Sequence, residues 1–245
     1  MSFASGLRQL LALRQTDVVS ELRRGDSMES ILDKHLLTVE SASDEEILTS
    51  ILLLSSDGKR LTHGAAPSLP KPYVDAINGA EIGPSAGSCG TAAYLGEPVY
   101  VSDIATDPRW AAYRDVALPH GLRSCWSTPI RRSDGGVMGT FAIYHRTPGA
   151  PTRDELKMID FISGNVARTI TWARNPHATV DAVEMLPKQV AALQAIAGAI
   201  VQHGPALGEE GREAIDAIVK DVDKFAEIVR AQLPDVPVPA SSEVS

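Results

Sequence analysis

The sequence lacks the features that place a protein in a membrane or outside the cell. No uninterrupted apolar run approaches the roughly 20 residues that a membrane-spanning helix requires. The N-terminal residues also lack the basic and then apolar pattern of a signal peptide. Only two cysteines are present, Cys89 and Cys125, too few for the disulfide framework of a small secreted domain. We therefore expect a cytoplasmic protein with no membrane partner.

Positive charge is also scarce. Lysine and arginine number 23 against 31 aspartates and glutamates, which gives a formal net charge of −8. Such a surface repels a phosphate backbone, so we expect no nucleic-acid partner. The hydrophobic fraction of 44% is ordinary for a globular protein and supplies enough apolar side chains for a core.

Hydrophobic periodicity predicts antiparallel strand pairs flanked by helices. The predicted strands are 47–54, 60–63, 99–101, 123–130 and 137–145. The predicted helices are 6–24, 28–39, 73–78, 91–95, one from Asp107 that carries Trp110 and Tyr113, 155–172, 183–203 and 208–233, with a break at 175–177. This order predicts an α+β fold with one sheet and helices mainly on one face.

The same pattern predicts four segments along the chain. An N-terminal helix occupies 1–26, and the central domain occupies 27–175. Apolar stripes at helical spacing predict a C-terminal helical hairpin at 180–234. The remaining 235–245 is rich in proline, valine and serine and is expected to be disordered.

Several sequence blocks in order resemble GAF domains of the kind found in bacterial sensor kinases and cyclase-linked sensors. They are Gly-Pro-Ser-Ala-Gly-Ser-Cys-Gly-Thr-Ala at 83–92, Glu-Pro-Val-Tyr-Val-Ser-Asp-Ile at 97–104, Asp-Pro-Arg-Trp at 107–110 and His-Gly-Leu-Arg-Ser-Cys-Trp-Ser-Thr-Pro-Ile at 120–130. The resemblance extends over about 28–172. It implies a PAS-like central antiparallel sheet of about six strands, with terminal helices on one face and a small pocket on the other.

The resemblance also implies a function. GAF domains of this kind bind a small molecule without covalent attachment and signal through flanking dimerisation helices, here to a separate protein. We expect a homodimer and a small, partly polar ligand. The expected ligand-binding residues are Cys89, Tyr94, Trp110, Tyr113, Arg123, Cys125 and Ser127. Strand alternation places Arg123, Cys125 and Ser127 on one face, and the resemblance turns that face toward the pocket, with Arg123 as an anion partner.

Other interpretations of these residues stay open. Cys125 is also typical of a small buried hydrophobe, and Trp110 and Tyr113 of aromatics that seal a core. Cys89 resembles a cysteine of free methionine-(R)-sulfoxide reductases, which are GAF proteins. Those enzymes carry another cysteine where this chain has Val-Ala-Leu-Pro at 116–119.

Two further alternatives concern the pocket as a whole. His120 is a candidate haem ligand, which would make the domain a gas or redox sensor. A collapsed pocket would leave only a structural dimerisation domain. We expect no catalytic residues, and no spacing of cysteine and histidine indicates a metal site.

Overall fold

The computed structural model describes residues 3–43, 45–203, 213, 216–224 and 226. The chain forms two compact units, Met1–Arg174 and Asn175–Ser245. Within the described residues, no helix is long and apolar enough to cross a membrane.

One antiparallel sheet forms the centre of the first unit. Its six strands have the order β3-β2-β1-β6-β5-β4. Their bounds are β1 Ile47–Leu54, β2 Arg60–Ala65, β3 Ala80–Glu81, β4 Val99–Val101, β5 Ser124–Arg131 and β6 Val137–His145. Asp57 and Gly58 form the β1–β2 turn, where Gly58 adopts a positive φ of 69° that favours glycine. The predicted α+β fold with about six antiparallel strands is confirmed.

Helices cover both faces of this sheet. Their bounds are α1 Phe3–Arg24, α2 Met28–Ser41, α3 Lys71–Ile77, α4 Gly87–Leu95, α5 Arg114–Ala117 and α6 Arg153–Arg174. Helices α1, α2 and α6 pack on the face that carries Trp126 and Phe141. Helices α3, α4 and α5 pack on the face that carries Cys125 and Tyr144. Neighbouring residues of β5 therefore belong to two different cores, as strand alternation requires.

Three predicted helices differ from the structure in type or by at least four residues at their start. Helix α4 begins at Gly87, four residues before the predicted start at 91. The helix expected from Asp107 is a 3-10 turn at Pro108–Trp110, capped by the Asp107 side chain, followed by α5 and a second 3-10 turn at Leu118–His120. Helix α7 spans Pro176–His203, so it begins well before 183. A proline is tolerated in the first helical turn because the amide hydrogen there has no partner within the helix.

The C-terminal unit is described in part. Gln194 Nε2 of α7 donates a 2.8 Å hydrogen bond to Asp223 Oδ1, and Val190 packs with Ala226. Most of the predicted helix at 208–233 and all of the predicted tail at 235–245 lie outside the described residues.

Candidate functional site

The start of helix α4 organises the pocket face of the sheet. Gly87 has a φ of +63°, and a side chain at this position would meet the rings of Trp110 and Tyr113 at 3.8 Å. The next residue, Ser88, donates a 2.9 Å hydrogen bond from Oγ to the carbonyl oxygen of Cys125. The same Oγ accepts a 3.1 Å hydrogen bond from Trp110 Nε1. One buried hydroxyl thus joins α4, strand β5 and the 3-10 turn.

Two aromatic rings lie over this point. Trp110 is buried, Tyr113 is partly buried, and their rings pack edge to face with centroids 6.5 Å apart. The turn that carries Trp110 is fixed by Asp107, whose Oδ1 accepts a 2.8 Å hydrogen bond from the Arg109 amide. We call Trp110 and Tyr113 the aromatic lid.

Beneath the lid lies a buried cluster of thiol and hydroxyl groups. Cys89 Sγ is 3.8 Å from Tyr144 Oη, and Tyr73 Oη donates to Tyr144 Oη at 3.5 Å. Cys125 lies directly opposite Tyr144 in the β5–β6 pairing. These groups, together with the Ser127 and Thr140 hydroxyls described below, are called the polar cluster.

The two thiols differ in their electrostatics. The pKa of Cys89 is lowered to about 7, and the largest cause is the neighbouring Cys125 side chain. The hydroxyls of Ser127, Tyr144 and Thr140 contribute to the same lowering, and burial opposes it. Burial raises the pKa of Cys125 well above its ordinary value, and the adjacent Cys89 raises it further. Cys89 is therefore the thiol that ionises first.

Two hydroxyls of the cluster are not satisfied. The Ser127 and Thr140 side chains are fully buried. Both hydroxyls help to lower the pKa of Cys89, yet neither has a hydrogen-bond partner of good geometry. A buried polar group without a partner costs about 1–3 kcal/mol. Such groups are retained in a core when something other than stability favours them.

The face of the sheet under the aromatic lid encloses a cavity of about 30 Å³. Its walls include Tyr73, Gly87, Ser88, Cys89, Trp110, Tyr113 and Tyr144. A second cavity, of about 330 Å³, lies on the opposite face between the sheet and α1, α2 and α6. Its walls are mostly apolar, with Glu45, His145 and Glu155 among the polar residues.

A family model of the GAF domain matches residues 26–171, more than half of the chain. This chain belongs to the GAF domain family. Over 151 residues it is 39% identical to the methyl sulfide methyltransferase-associated sensor of Methanosarcina acetivorans, a match that covers 61% of this chain. The chain spans only 15% of the length of that relative.

Solved structures share the GAF fold at low sequence identity. A GAF domain structure has a TM-score of 0.56 at 16% identity and covers 69% of this chain and 89% of its own. The free methionine-R-sulfoxide reductase of Neisseria meningitidis, in complex with its substrate, has a TM-score of 0.54 at 17% identity. The match covers 71% of this chain and 93% of the reductase chain. The GAF domain of an Acinetobacter phosphoenolpyruvate-protein phosphotransferase has a TM-score of 0.51 at 18% identity. The match covers 71% of this chain and 97% of that domain.

The GAF domain brings five of the seven expected binding residues together. Cys89, Trp110 and Tyr113 line the small cavity. Cys125 contacts Cys89 from the strand below, and Ser127 follows on the same face of β5. Their role in binding a ligand stays a prediction.

Tyr94 and Arg123 lie elsewhere. Tyr94 is 55% exposed near the end of α4 and does not border the cavity. Arg123 precedes β5, and its Nη2 donates a 3.3 Å hydrogen bond to Asp103 Oδ1 at a part-exposed position. Arg123 does not border the cavity and pairs with Asp103 instead, so its role in binding a ligand stays a prediction.

His120 also lies outside both cavities of this GAF domain. Its ring packs edge-on against Tyr73 with centroids 6.4 Å apart. A haem-ligand role for His120 stays a prediction, and it would require this aromatic contact to open. In the described part of the chain, no three histidine, cysteine or acidic residues are grouped to hold a metal ion.

Sequence reasoning missed four residues of the GAF site, namely Tyr73, Ser88, Thr140 and Tyr144. Tyr144 and Thr140 were detectable, since alternation along β6 places both on one face and antiparallel pairing puts Tyr144 opposite Cys125. Ser88 lies within the 83–92 block, but nothing in that block indicates its hydrogen bonds to β5 and Trp110. No local pattern marks Tyr73, which reaches the site through packing of α3.

Proposed function

We propose that this GAF domain is a sensory module that binds a small, partly polar molecule between the aromatic lid and the polar cluster. The observation that carries this proposal is the pair of buried, unpaired hydroxyls of Ser127 and Thr140. A ligand that hydrogen-bonds these groups would recover the free energy lost by burying them. The similarity to a protein named as a sensor supports the same function.

The size of the cavity determines how such binding would occur. Sites for small molecules typically occupy about 300–1,000 Å³, whereas the cavity under the lid measures about 30 Å³. A metabolite therefore enters only when Trp110 and Tyr113 move outward. The ligand would select the open conformation from the equilibrium between open and closed states.

Strand β5 offers a route from the ligand to the helices. Cys125 belongs to the polar cluster, and the adjacent Trp126 packs in the core that the sheet forms with α1, α2 and α6. Trp126 Nε1 also donates a 3.0 Å hydrogen bond to the Gly149 carbonyl just before α6. We propose that a shift of β5 on binding repositions the flanking helices, and so carries the signal.

The output is proposed to pass through a homodimer to a separate signalling protein. On α7, Leu193, Ile196 and Ile200 are 45%, 56% and 41% exposed and lie on one side of the helix. Apolar residues at this spacing are typical of helices that pack against a second helix. A second copy of the chain is the simplest partner for such a stripe.

The sensing proposal is tested by thermal unfolding of the full chain with a panel of small polar metabolites. A ligand of the native state stabilises it by RT ln(1 + [L]/Kd), so Tm continues to rise with ligand concentration. The double variant S127A/T140V should fold but lose this shift. The matched control is T128V, because Thr128 is buried on the opposite face of β5, with its hydroxyl 3.5 Å from Tyr100 Oη. An equal Tm shift in both variants would refute the assignment of the site.

Mass spectrometry and an absorption spectrum of the purified chain separate the rival functions. A co-purifying small molecule supports the sensory proposal, and a Soret band would identify haem instead. If no molecule co-purifies and no metabolite raises Tm, the remaining interpretation is a structural dimerisation domain. We do not propose free methionine-R-sulfoxide reductase activity, because likeness at 17% identity shows the fold alone.

A further inference from the structure

The two cysteines of the chain lie side by side in the core. Cys89 belongs to α4 and Cys125 to β5, and both lie at Tyr144: Cys89 Sγ is 3.8 Å from Tyr144 Oη, and Cys125 is directly opposite Tyr144 in the β5–β6 pairing. Each thiol also shifts the pKa of the other. The Ser88 hydroxyl fixes this arrangement, since it bonds the Cys125 carbonyl at 2.9 Å from the position next to Cys89. Both thiols are free. A packed core therefore holds two free thiols close together and unlinked.

The pair is asymmetric in access and in chemistry. Cys89 borders the small cavity and is 8% exposed, whereas Cys125 is fully buried behind it. Cys89 lies in the first turn of α4, where the helix dipole and free amide hydrogens favour negative charge. The Tyr144 hydroxyl lies 3.8 Å from its sulfur, and the Ser127 and Thr140 hydroxyls also lower its pKa. An oxidant that enters through the cavity meets Cys89 first.

The cavity also limits which oxidant can enter. Its volume of about 30 Å³ is a small fraction of the roughly 300–1,000 Å³ of a typical small-molecule site. Hydrogen peroxide is only slightly larger than water, while organic hydroperoxides with aromatic or branched groups are several times larger. With the lid closed, we expect the site to react faster with the smallest peroxide than with bulky hydroperoxides.

We propose that Cys89 and Cys125 form a peroxide-responsive thiol pair in which Cys89 is oxidised by hydrogen peroxide and Cys125 then closes a disulfide with it. This modification needs no bound metabolite, so it stands or fails separately from the sensing proposal. It differs from a catalytic reductase because the oxidised chain is itself the product, and an external thiol restores it.

Each step balances in atoms and electrons. The Cys89 thiolate attacks one peroxide oxygen, the O–O bond breaks, and the departing hydroxide takes up a proton to leave as water. Cys89 is then a sulfenic acid, oxidised by two electrons. The Cys125 sulfur attacks the Cys89 sulfur, the S–O bond breaks, and the Cys125 proton leaves with the hydroxide as a second water. The sum is two thiols and one peroxide giving one disulfide and two waters.

The test is intact-mass analysis of the reduced full chain after exposure to hydrogen peroxide, denaturation and alkylation. We expect a monomer that has lost two hydrogens, carries no alkyl group and regains both thiols with dithiothreitol. Cumene hydroperoxide should produce this species much more slowly. Two alkylated thiols after peroxide, disulfides only between chains, or equal rates with both peroxides would overturn the proposal.

Variants assign the two roles. In C125S the sulfenic acid of Cys89 should persist and be trapped by dimedone, whereas C89S should give no adduct. The reverse pattern would overturn the assignment. If either variant fails to fold, the pair T140V and T128V decides. T140V removes a hydroxyl that lowers the pKa of Cys89 and should slow oxidation. T128V should not, and equal rates for the two variants count against the proposed environment of Cys89.

Discussion

His35 makes the stability of the N-terminal unit depend on pH in a way that can be calculated. The residue lies on α2 among Ile31, Leu32 and Leu36 and is fully buried. Neither ring nitrogen has a hydrogen-bond partner. Burial, together with the positive charge of Arg14, lowers the pKa of His35 from its ordinary value of 6.5 to about 3. The folded chain therefore keeps this imidazole neutral in mild acid.

The unfolded chain behaves differently, because its histidine protonates near pH 6.5. Below that value the unfolded state binds a proton that the folded state does not bind, so stability falls as the pH drops. Well above pH 6.5, His35 is neutral in both states, so burying it causes no pH-dependent loss of unfolding free energy. Between about pH 7 and pH 5, linkage converts this difference into a loss of roughly 2 kcal/mol of unfolding free energy. That figure changes little if the folded pKa lies one unit higher.

The measurement is urea unfolding at both pH values, followed by tryptophan fluorescence. All three tryptophans lie within Met1–Arg174, so the signal reports on that unit. In H35L the drop in unfolding free energy between the two pH values should shrink by about 2 kcal/mol. The exposed His177 provides the matched control, since H177L should retain the full drop. A drop in H35L as large as in the unsubstituted chain would refute a buried neutral His35.

Two further predictions concern the sheet and the C-terminal helix. G139A should lower unfolding free energy by at least about 3 kcal/mol, because its β-carbon would collide with the Leu52 carbonyl oxygen of the neighbouring strand. The helical control G164A, which meets open space, should instead raise it by about 0.5–1 kcal/mol in the same urea assay. On α7, I196D should convert a dimer to a monomer in light scattering after size exclusion, while A195D on the other side of the helix should not. Equal masses for both variants would contradict dimerisation through this stripe.

Local patterns accounted for much of the fold. Strands β1, β4 and β6 have the predicted bounds, because apolar runs and turn residues act over a few neighbours. The aromatic lid was expected as a helix, yet Trp110 ends a 3-10 turn. Asp107, Pro108 and the packing of Trp110 on Ser88 set that geometry, and only the first two are visible as local signals.

The sequence by itself determined the α+β architecture, the GAF resemblance and the opposite faces of Cys125 and Trp126, since side chains alternate along any strand. Only the tertiary structure decided that Cys89 and Cys125 share one core, that Arg123 pairs with Asp103, and that the cavity is near 30 Å³. The physical reason is the distance along the chain over which each effect acts. Periodicity is a property of a few consecutive residues, whereas contact between α4 and β5 and the space left under Trp110 depend on how whole elements pack.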